Sequence, residues 1–316
     1  MSDLVTLPAA DLALATDYAR QALAPATLQA YAADWAEFAA WCQQRGASAV
    51  PADPTTVAAY LASIAVSHAR STLRRRLAAI GRAQRMKGIA WAASHPAIRD
   101  TLAGIFRRHG TPQRRAAAIG TAELRQLVAT CGTDLAGQRD RAMLLLGFAG
   151  ALRRSELVAV QREHITFTAD GLKLLVPRAK SDQTGQGAEL GIPRGRTPET
   201  CPVRAMETWL RTSDCRYGPV FRKVDRWGTV ELTALHPYAL PKILARRVAM
   251  AKLSHSGLER LSAHGLRAGF ITEAYKAGAR DEAIMAHSRH KDVRTMRGYV
   301  RRAKLVAESP AGLVGL

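Results

Sequence analysis

The hydrophobic period changes along this chain, and that change constrains the fold more than any single motif. Helical spacing of apolar residues fills both ends, and one short internal stretch switches to strand-like runs. Thr27 reads as an N-cap, after which Leu28, Tyr31, Trp35, Phe38 and Cys42 recur at three- and four-residue intervals until Gly46. A second helix is expected from Asp53 or Thr55, with Val57, Tyr60, Leu61 and Ile64 inward. A third carries Leu73, Leu77 and Ile80, and a fourth follows Pro96 with Ile98, Leu102, Ile105 and Phe106. Residues 24–108 therefore read as a small helical domain, behind a flexible N-terminus over residues 1–23.

Arg107 to Gly120 brings Gly, Pro and four arginines without apolar periodicity, which predicts a basic extended linker over residues 109–120. Helices restart at Thr121, with Leu124, Leu127 and Val128, and near Gly137, with Met143, Leu144, Leu145 and Phe148. Between Ile165 and Ile192 the texture changes. Ile165-Thr166-Phe167, a turn at Asp170-Gly171, Leu172 to Val176 and Ala188 to Ile192 read as a small antiparallel sheet. Helical pattern resumes over Pro202 to Leu210, His236 to Ala251 and Leu266 to Ala277. The expected fold class is mainly α, with a small antiparallel β-sheet in a second, mixed domain spanning residues 121–316.

Composition narrows the partner. In 316 residues, 46 Lys and Arg stand against 26 Asp and Glu, a formal net charge of +20, which points to a polyanion. An Ala- and Arg-rich composition can also follow from genomic base content, so charge alone does not settle the matter. Cys42, Cys131, Cys201 and Cys215 form neither a CxxC pair nor a disulfide framework, and read as core thiols in a reducing compartment. No secretory leader and no run of eighteen apolar residues is present, so a soluble, cytoplasmic, nucleoid-associated protein without membrane contact is expected. Arg74, Arg75, Arg76, Arg82, Arg85 and Lys87 cluster on the third helix and its extension, and Arg114 and Arg115 lie in the linker. They read either as contacts to a phosphate backbone or as an ordinary solvated face.

A second set of residues carries chemistry. Gly150-Ala151-Leu152-Arg153-Arg154-Ser155-Glu156-Leu157 is followed far downstream by His264-Gly265-Leu266-Arg267, then by His290 and, nine residues on, Tyr299. Displacement at a phosphodiester without a metal needs fixed cationic donors, best supplied by guanidinium forks. A phenol with an ordinary pKa near ~10 needs neighbouring imidazoles and cations to lose its proton. Arg153 and Arg267 suit the first task, His264 and His290 the second, and Tyr299 is the candidate nucleophile. Taken singly, each residue has a plainer reading, as a surface arginine, a solvated helix face or an interface tyrosine. Glu156 is spaced to hold Arg153 or to be an ordinary helix carboxylate. His287 and His290 share a helical face, which raises zinc, but no suitably spaced carboxylate or cysteine completes a set and no metal is expected.

In order and spacing these motifs resemble the catalytic domain of tyrosine recombinases, the lambda integrase family that includes Cre and the Xer recombinases. The resemblance covers the chain from about residue 24, with the helical region similar to the family's core-binding domain. It implies that Arg153 and Arg267 clamp the non-bridging oxygens, that Tyr299 attacks phosphorus, that His264 and His290 bind phosphate or move the tyrosine proton, and that Glu156 buttresses the site. It also implies a general-acid lysine on a β-hairpin, matched by Lys180, with Lys173 as rival. The resemblance further implies strand exchange between two DNA duplexes by four protomers, without cofactor and with accessory bending or directionality proteins as candidate partners. Relaxation of DNA in the manner of a type IB topoisomerase and a silent DNA-binding regulator are the alternatives. Two departures stand out. Arg289 precedes His290 where many members have glycine, and a simpler two-domain enzyme, without the extra arm-binding domain of the largest phage integrases, is expected. The tail bearing Leu305, Val306, Leu313, Val314 and Leu316 reads equally as covering its own domain or a neighbouring protomer.

Overall fold

The computed structural model describes residues 8–110, 115–177, 187–253, 259–260, 262–303, 311 and 314, and only the backbone of residues 20, 21, 115, 116, 259, 260 and 301–303. The chain divides into two compact units, Met1–Gln113 and Arg114–Leu316.

The first unit is all helix: α1 (Ala9–Gln21), α2 (Pro25–Gln43), α3 (Pro54–Ser63), α4 (Arg70–Met86) and α5 (Pro96–His109). α1 replaces the flexible start expected from sequence. Its described side chains are exposed, and for that reason no apolar stripe announces it. Proline sets the start of α2, α3 and α5 by occupying the first helical turn, where its missing N–H costs nothing. α2 accordingly begins two residues before the Thr27 cap that the pattern suggests. At α3 the Asp53 side chain accepts from Thr55 N at 2.8 Å, an ordinary acidic cap. Phe38, Cys42, Val57, Tyr60, Leu61, Leu73, Ile80, Ile98, Leu102 and Ile105 form the core of this unit.

The second unit begins with β1 (Arg115–Ala116), then α6 (Thr121–Ala129), α7 (Leu135–Ala149) and α8 (Arg154–Val158). Strands β2 (Ile165–Phe167), β3 (Gly171–Val176) and β4 (Ala188–Pro193) form an antiparallel meander, with Ile165 opposite Leu174 and Leu172 opposite Ile192. Alternation puts Leu172, Leu174, Val176, Leu190 and Ile192 on the buried face, as the sequence implies. α9 (Pro202–Thr212), a hairpin of β5 (Arg222–Val224) and β6 (Val230–Ala234), α10 (Ala239–Met250) and β7 (Glu259–Arg260) follow. The chain then runs through α11 (Ala263–Lys276), α12 (Asp281–Ser288) and α13 (Val293–Ala303).

Part of the expected linker is built into this unit. β1 pairs in parallel with β7, Ala117 and Ile119 are buried, and Ile119 N donates to Gly265 O at 2.9 Å. The reason lies in α11. A Cβ on Gly265 would meet Ala117 O at 2.4 Å, and one on Gly269 would meet Ile119 O at 1.8 Å. Two glycines four residues apart leave one bare helix stripe on which the backbone of residues 117–119 lies. The linker reading failed here because small residues next to arginines carry no periodicity of their own.

α11 is buried on most of its circumference, including Leu266, Arg267, Ala268 and Ile271. It packs against α7, α12 and α13. The main core gathers residues of α6, α7, α9, α10 and the three-stranded sheet. A separate small cluster of Ile271, Ile284, Met296 and Val300 seats α12 and α13 on α11. Among the described residues no helix is long and apolar enough to cross a membrane.

Candidate active site

Two helix ends build the site, and both use a left-handed residue where glycine is the usual choice. Just past the end of α7 lies Ala151, φ 44°, with Leu152 N donating back to Gly147 O at 3.0 Å. α12 ends at Arg289, φ 57° and ψ 44°, with His290 N donating to Met285 O at 3.0 Å. The first turn delivers Arg153 to the N-cap of α8. The second delivers His290 to the start of the segment that leads into α13.

Arg153 is held by the helix it caps. Its Nη1 donates to Glu156 Oε1 at 2.5 Å, and its backbone N donates to Glu156 Oε2 at 2.9 Å. The Glu156 side chain is only 2% exposed, and although desolvation works to raise its pKa, the charges of Arg289 and Arg153 and the bond from Arg153 N hold it below the ordinary glutamate value. The sequence spacing of Arg153 and Glu156 thus corresponds to a real, buried ion pair.

Arg267 projects from α11 and is 1% exposed, with Nη1 donating to Ala151 O at 2.7 Å. Burial first, then repulsion from Arg153 and Arg289, lowers its pKa to about 9. It stays cationic at neutral pH, in a pocket that favours an added anion. Its Nη2 lies 3.2 Å from His290 Nδ1 and 3.3 Å from Nε2, equidistant from both ring nitrogens rather than aimed at one lone pair.

The protonation of His290 follows from its neighbours. Ser288 Oγ gives its single proton to Ile284 O at 2.6 Å, so the 2.7 Å contact with His290 Nδ1 must run from Nδ1–H to Ser288 Oγ. Nε2 then keeps its lone pair. Desolvation, with the charges of Arg267 and Arg153, lowers the His290 pKa to about 4, so the ring is neutral at physiological pH. Tyr299, on α13, lies across from both histidines. Its hydroxyl is 2.7 Å from His264 Nε2, and its ring centroid is 5.7 Å from that of His264 and 5.9 Å from that of His290.

Arg153, Glu156, His264, Arg267, His290 and Tyr299 therefore converge, although they span residues 153 to 299. His287 does not join them. Its ring stacks on Phe270 with centroids 4.6 Å apart, and Nε2–H donates to Ala149 O at 2.7 Å. Among the described residues no three His, Cys, Asp or Glu side chains group as a metal site requires. Lys180 lies outside the described residues. Its rival Lys173 is on β3, opposite Gly191 and exposed.

In the first unit, the basic helix α4 splits into two kinds of residue. Arg74, Arg85 and Lys87 are exposed and Arg82 is half-buried. Arg75 is bound bidentately to Asp34, at 2.7 and 2.9 Å, with its side chain still 47% exposed. Arg76 must be taken out of the proposed phosphate contacts. Its side chain is 5% exposed, pairs with Glu37 at 2.5 Å and Asp34 at 3.7 Å, and donates to the Tyr60 hydroxyl. Arg114 lies outside the described residues, as does the side chain of Arg115.

Sequence reasoning missed one residue of the site. Arg289, noted only as a departure from glycine, has a side chain 6% exposed that donates from Nη2 to Glu156 Oε2 at 2.8 Å. The signal was present in the sequence as a bulky residue at a position that favours glycine.

A helical unit followed by a mixed unit with two arginines, two histidines and a tyrosine in one site defines a class, the enzymes that break and rejoin DNA strands through tyrosine. The Phage integrase family model matches residues 117–305, more than half of the chain. The integrase/recombinase XerD homolog of Selenomonas ruminantium is 34% identical over 288 residues, covering 90% of this chain and 83% of that protein. The same fold is seen in the post-cleavage complex of the XerH site-specific recombinase on a palindromic difH substrate, at TM-score 0.62 and 15% identity over 84% of this chain and 73% of that one. It recurs in a lambda integrase dimer on a COC′ core site, at TM-score 0.59 and 15% identity over 90% and 74%. The chain belongs to the phage integrase family of tyrosine recombinases.

Proposed function

We propose that the protein cuts and rejoins double-stranded DNA at a specific site through a 3′-phosphotyrosine link, and exchanges strands between two duplexes. The observation that carries this reading is the Tyr299 hydroxyl 2.7 Å from His264 Nε2, beside a buried, cationic Arg267 and a neutral His290. Arg153 and Arg267 hold the non-bridging oxygens of the scissile phosphate. As the phosphorus–Oη bond forms, the phenolic proton passes to an imidazole, His264 or His290, and the phosphorus–O5′ bond breaks. The departing 5′ oxygen takes a proton from a general acid, the role assigned to Lys180. One negative charge remains on the phosphotyrosyl diester, and the guanidinium groups that met the transition state meet it again. Attack by a 5′ hydroxyl of the partner strand reverses the step. The bond energy stays in the covalent link, so no nucleotide cofactor is required.

Arg74, Arg75, Arg82, Arg85 and Lys87, with Arg114 and Arg115, are proposed to contact DNA phosphates from residues 24–120. Four protomers on two sites form the working assembly, with accessory bending or directionality proteins as further partners, in association with the nucleoid. The XerH and lambda integrase complexes, solved on their DNA sites, support DNA as the ligand.

Incubation of wild type and Tyr299→Phe with nicked duplexes from the native locus tests the nucleophile. A denaturant-resistant protein–DNA adduct is expected from wild type alone, with DNA affinity retained in the variant. Adduct formation by the variant would sink the assignment. A four-way junction from two marked duplexes separates strand exchange from relaxation of a single duplex.

A further inference from the structure

Arg289 occupies a costly place. A non-glycine residue in the left-handed region gives up roughly 1–2 kcal/mol, and nothing in the α12 cap itself asks for a side chain. What the side chain does is bind two separate stretches of chain at once. Nη2 donates to Glu156 Oε2 at 2.8 Å and to Ala151 O at 3.2 Å, while Nη1 donates to His287 O at 2.8 Å and to Gly150 O at 3.3 Å. Its own backbone carbonyl lies 3.5 Å from Arg153 Nη2. The contacts close a ring, in which Arg153 reaches one oxygen of Glu156, Arg289 reaches the other, and the Arg289 carbonyl faces Arg153.

We infer that Arg289 is a positioning residue, which fixes Glu156 and through it the phosphate-binding guanidinium of Arg153. This inference rests on the recombinase chemistry proposed above. Ala151 carries the argument one residue further, because its carbonyl accepts from both Arg267 and Arg289. A single buried fork thus sets the α7–α8 turn that orients both phosphate-binding arginines, and it does so from the residue next to His290.

Among the described residues, the charged and titratable groups around Glu156 are few. Arg153 faces it from the cap of α8, Arg289 from the cap of α12, and Arg267 acts on it from α11. His164 shares the small cavity that Glu156 lines. Glycine at position 289 would relieve the backbone, but would leave the buried carboxylate with one direct cationic partner instead of two. Glu156 would then take up a proton at a higher pH, and a protonated Glu156 no longer holds Arg153 by charge.

The test uses the full-length protein as wild type, Arg289→Gly, Arg289→Lys, Glu156→Gln and Arg289→Gly/Glu156→Gln. Three quantities are read: DNA affinity, the single-turnover rate of adduct formation on a nicked duplex from the lowest pH at which the protein stays folded up to pH 9, and the Glu156 carboxyl titration by carbon-13 NMR. For Arg289→Gly the expected result is affinity within about threefold of wild type and a rate lower on the order of 10²-fold, the scale of a misplaced catalytic group. The acid limb of the rate profile and the Glu156 titration should both move to higher pH, and the limb should not move when position 156 is Gln. Arg289→Lys, which replaces the fork with a single donor group, should fall between the two. If Arg289→Gly does not fold, Arg289→Lys decides, and a Lys variant with wild-type rate and titration overturns the inference. An unmoved Glu156 titration overturns it whatever the activity. Absence of any adduct from wild type, with the titration shift present, overturns instead the recombinase chemistry, and the role of Arg289 in it.

Discussion

The arginine cluster of the helical unit and the one at the candidate site are built on opposite terms. In the helical unit, Arg75 and Arg76 meet Asp34 and Glu37, two cations against two acids, with the Tyr60 hydroxyl as a further acceptor. In the catalytic unit, Arg153, Arg267 and Arg289 surround one carboxylate, Glu156, and Arg267 is left with backbone and imidazole contacts. The first arrangement is complete in itself. The second carries surplus positive charge in a place shielded from water, and an anion is what completes it. Between these two clusters the difference lies in the acids around the arginines and not in depth, since Arg76 and Arg267 are both buried.

The largest effect expected from this contrast is catalytic. Arg267→Met keeps the volume and removes an uncompensated buried cation, so stability should change by less than about 1.5 kcal/mol, while adduct formation slows about 10²–10³-fold. Urea unfolding paired with covalent trapping checks both halves, and a variant that loses stability but not rate would break the comparison. Arg76→Met should behave in reverse. Asp34 keeps its bidentate Arg75 and Glu37 is open to water, so the loss of the buried guanidinium and of its bond to Tyr60 costs about 1–3 kcal/mol, and DNA affinity and its salt dependence stay at the wild-type level once the protein is folded. A lowered salt slope in that variant would return Arg76 to the DNA contacts.

The smallest effect concerns His290. Its folded pKa of about 4 lies below the ordinary 6.5, so above pH 6.5 the ring is neutral in both states and its contribution to stability is fully present. As pH falls from 6.5 towards 4, the unfolded chain takes up a proton that the folded site refuses, and stability declines across that window. Scanning calorimetry should show a flatter melting curve against pH for His290→Gln. Parallel curves would contradict a neutral, proton-accepting His290.

Much of this was legible in the sequence, because it depends on local spacing. Helix starts at Pro54 and Pro96, the strand alternation around Leu172 and Ile192, and the i, i+3 pairing of Arg153 with Glu156 are all short-range. His264, Arg267, His290 and Tyr299 were singled out by their joint order along the chain and the resemblance it carries, since each spacing alone had a plainer reading. What escaped was set by partners far along the chain. Arg76 looked like its neighbours on α4 until Asp34 and Glu37 from α2 were opposite it. Ile119 looked like linker until the bare stripe of Gly265 and Gly269 lay beneath it. Arg289 looked like a lapse from glycine until Glu156, 133 residues earlier, met its side chain.

The small cluster under α13 has a consequence for timing and force. Of the described side chains on α13, Met296 and Val300 are the buried ones, so lifting this helix uncovers apolar surface worth about 3–6 kcal/mol, while the main core stays shut. A DNA strand joined to Tyr299 would be tethered through that helix. Tension on such a strand would then act first on a short element with a small apolar seat of its own.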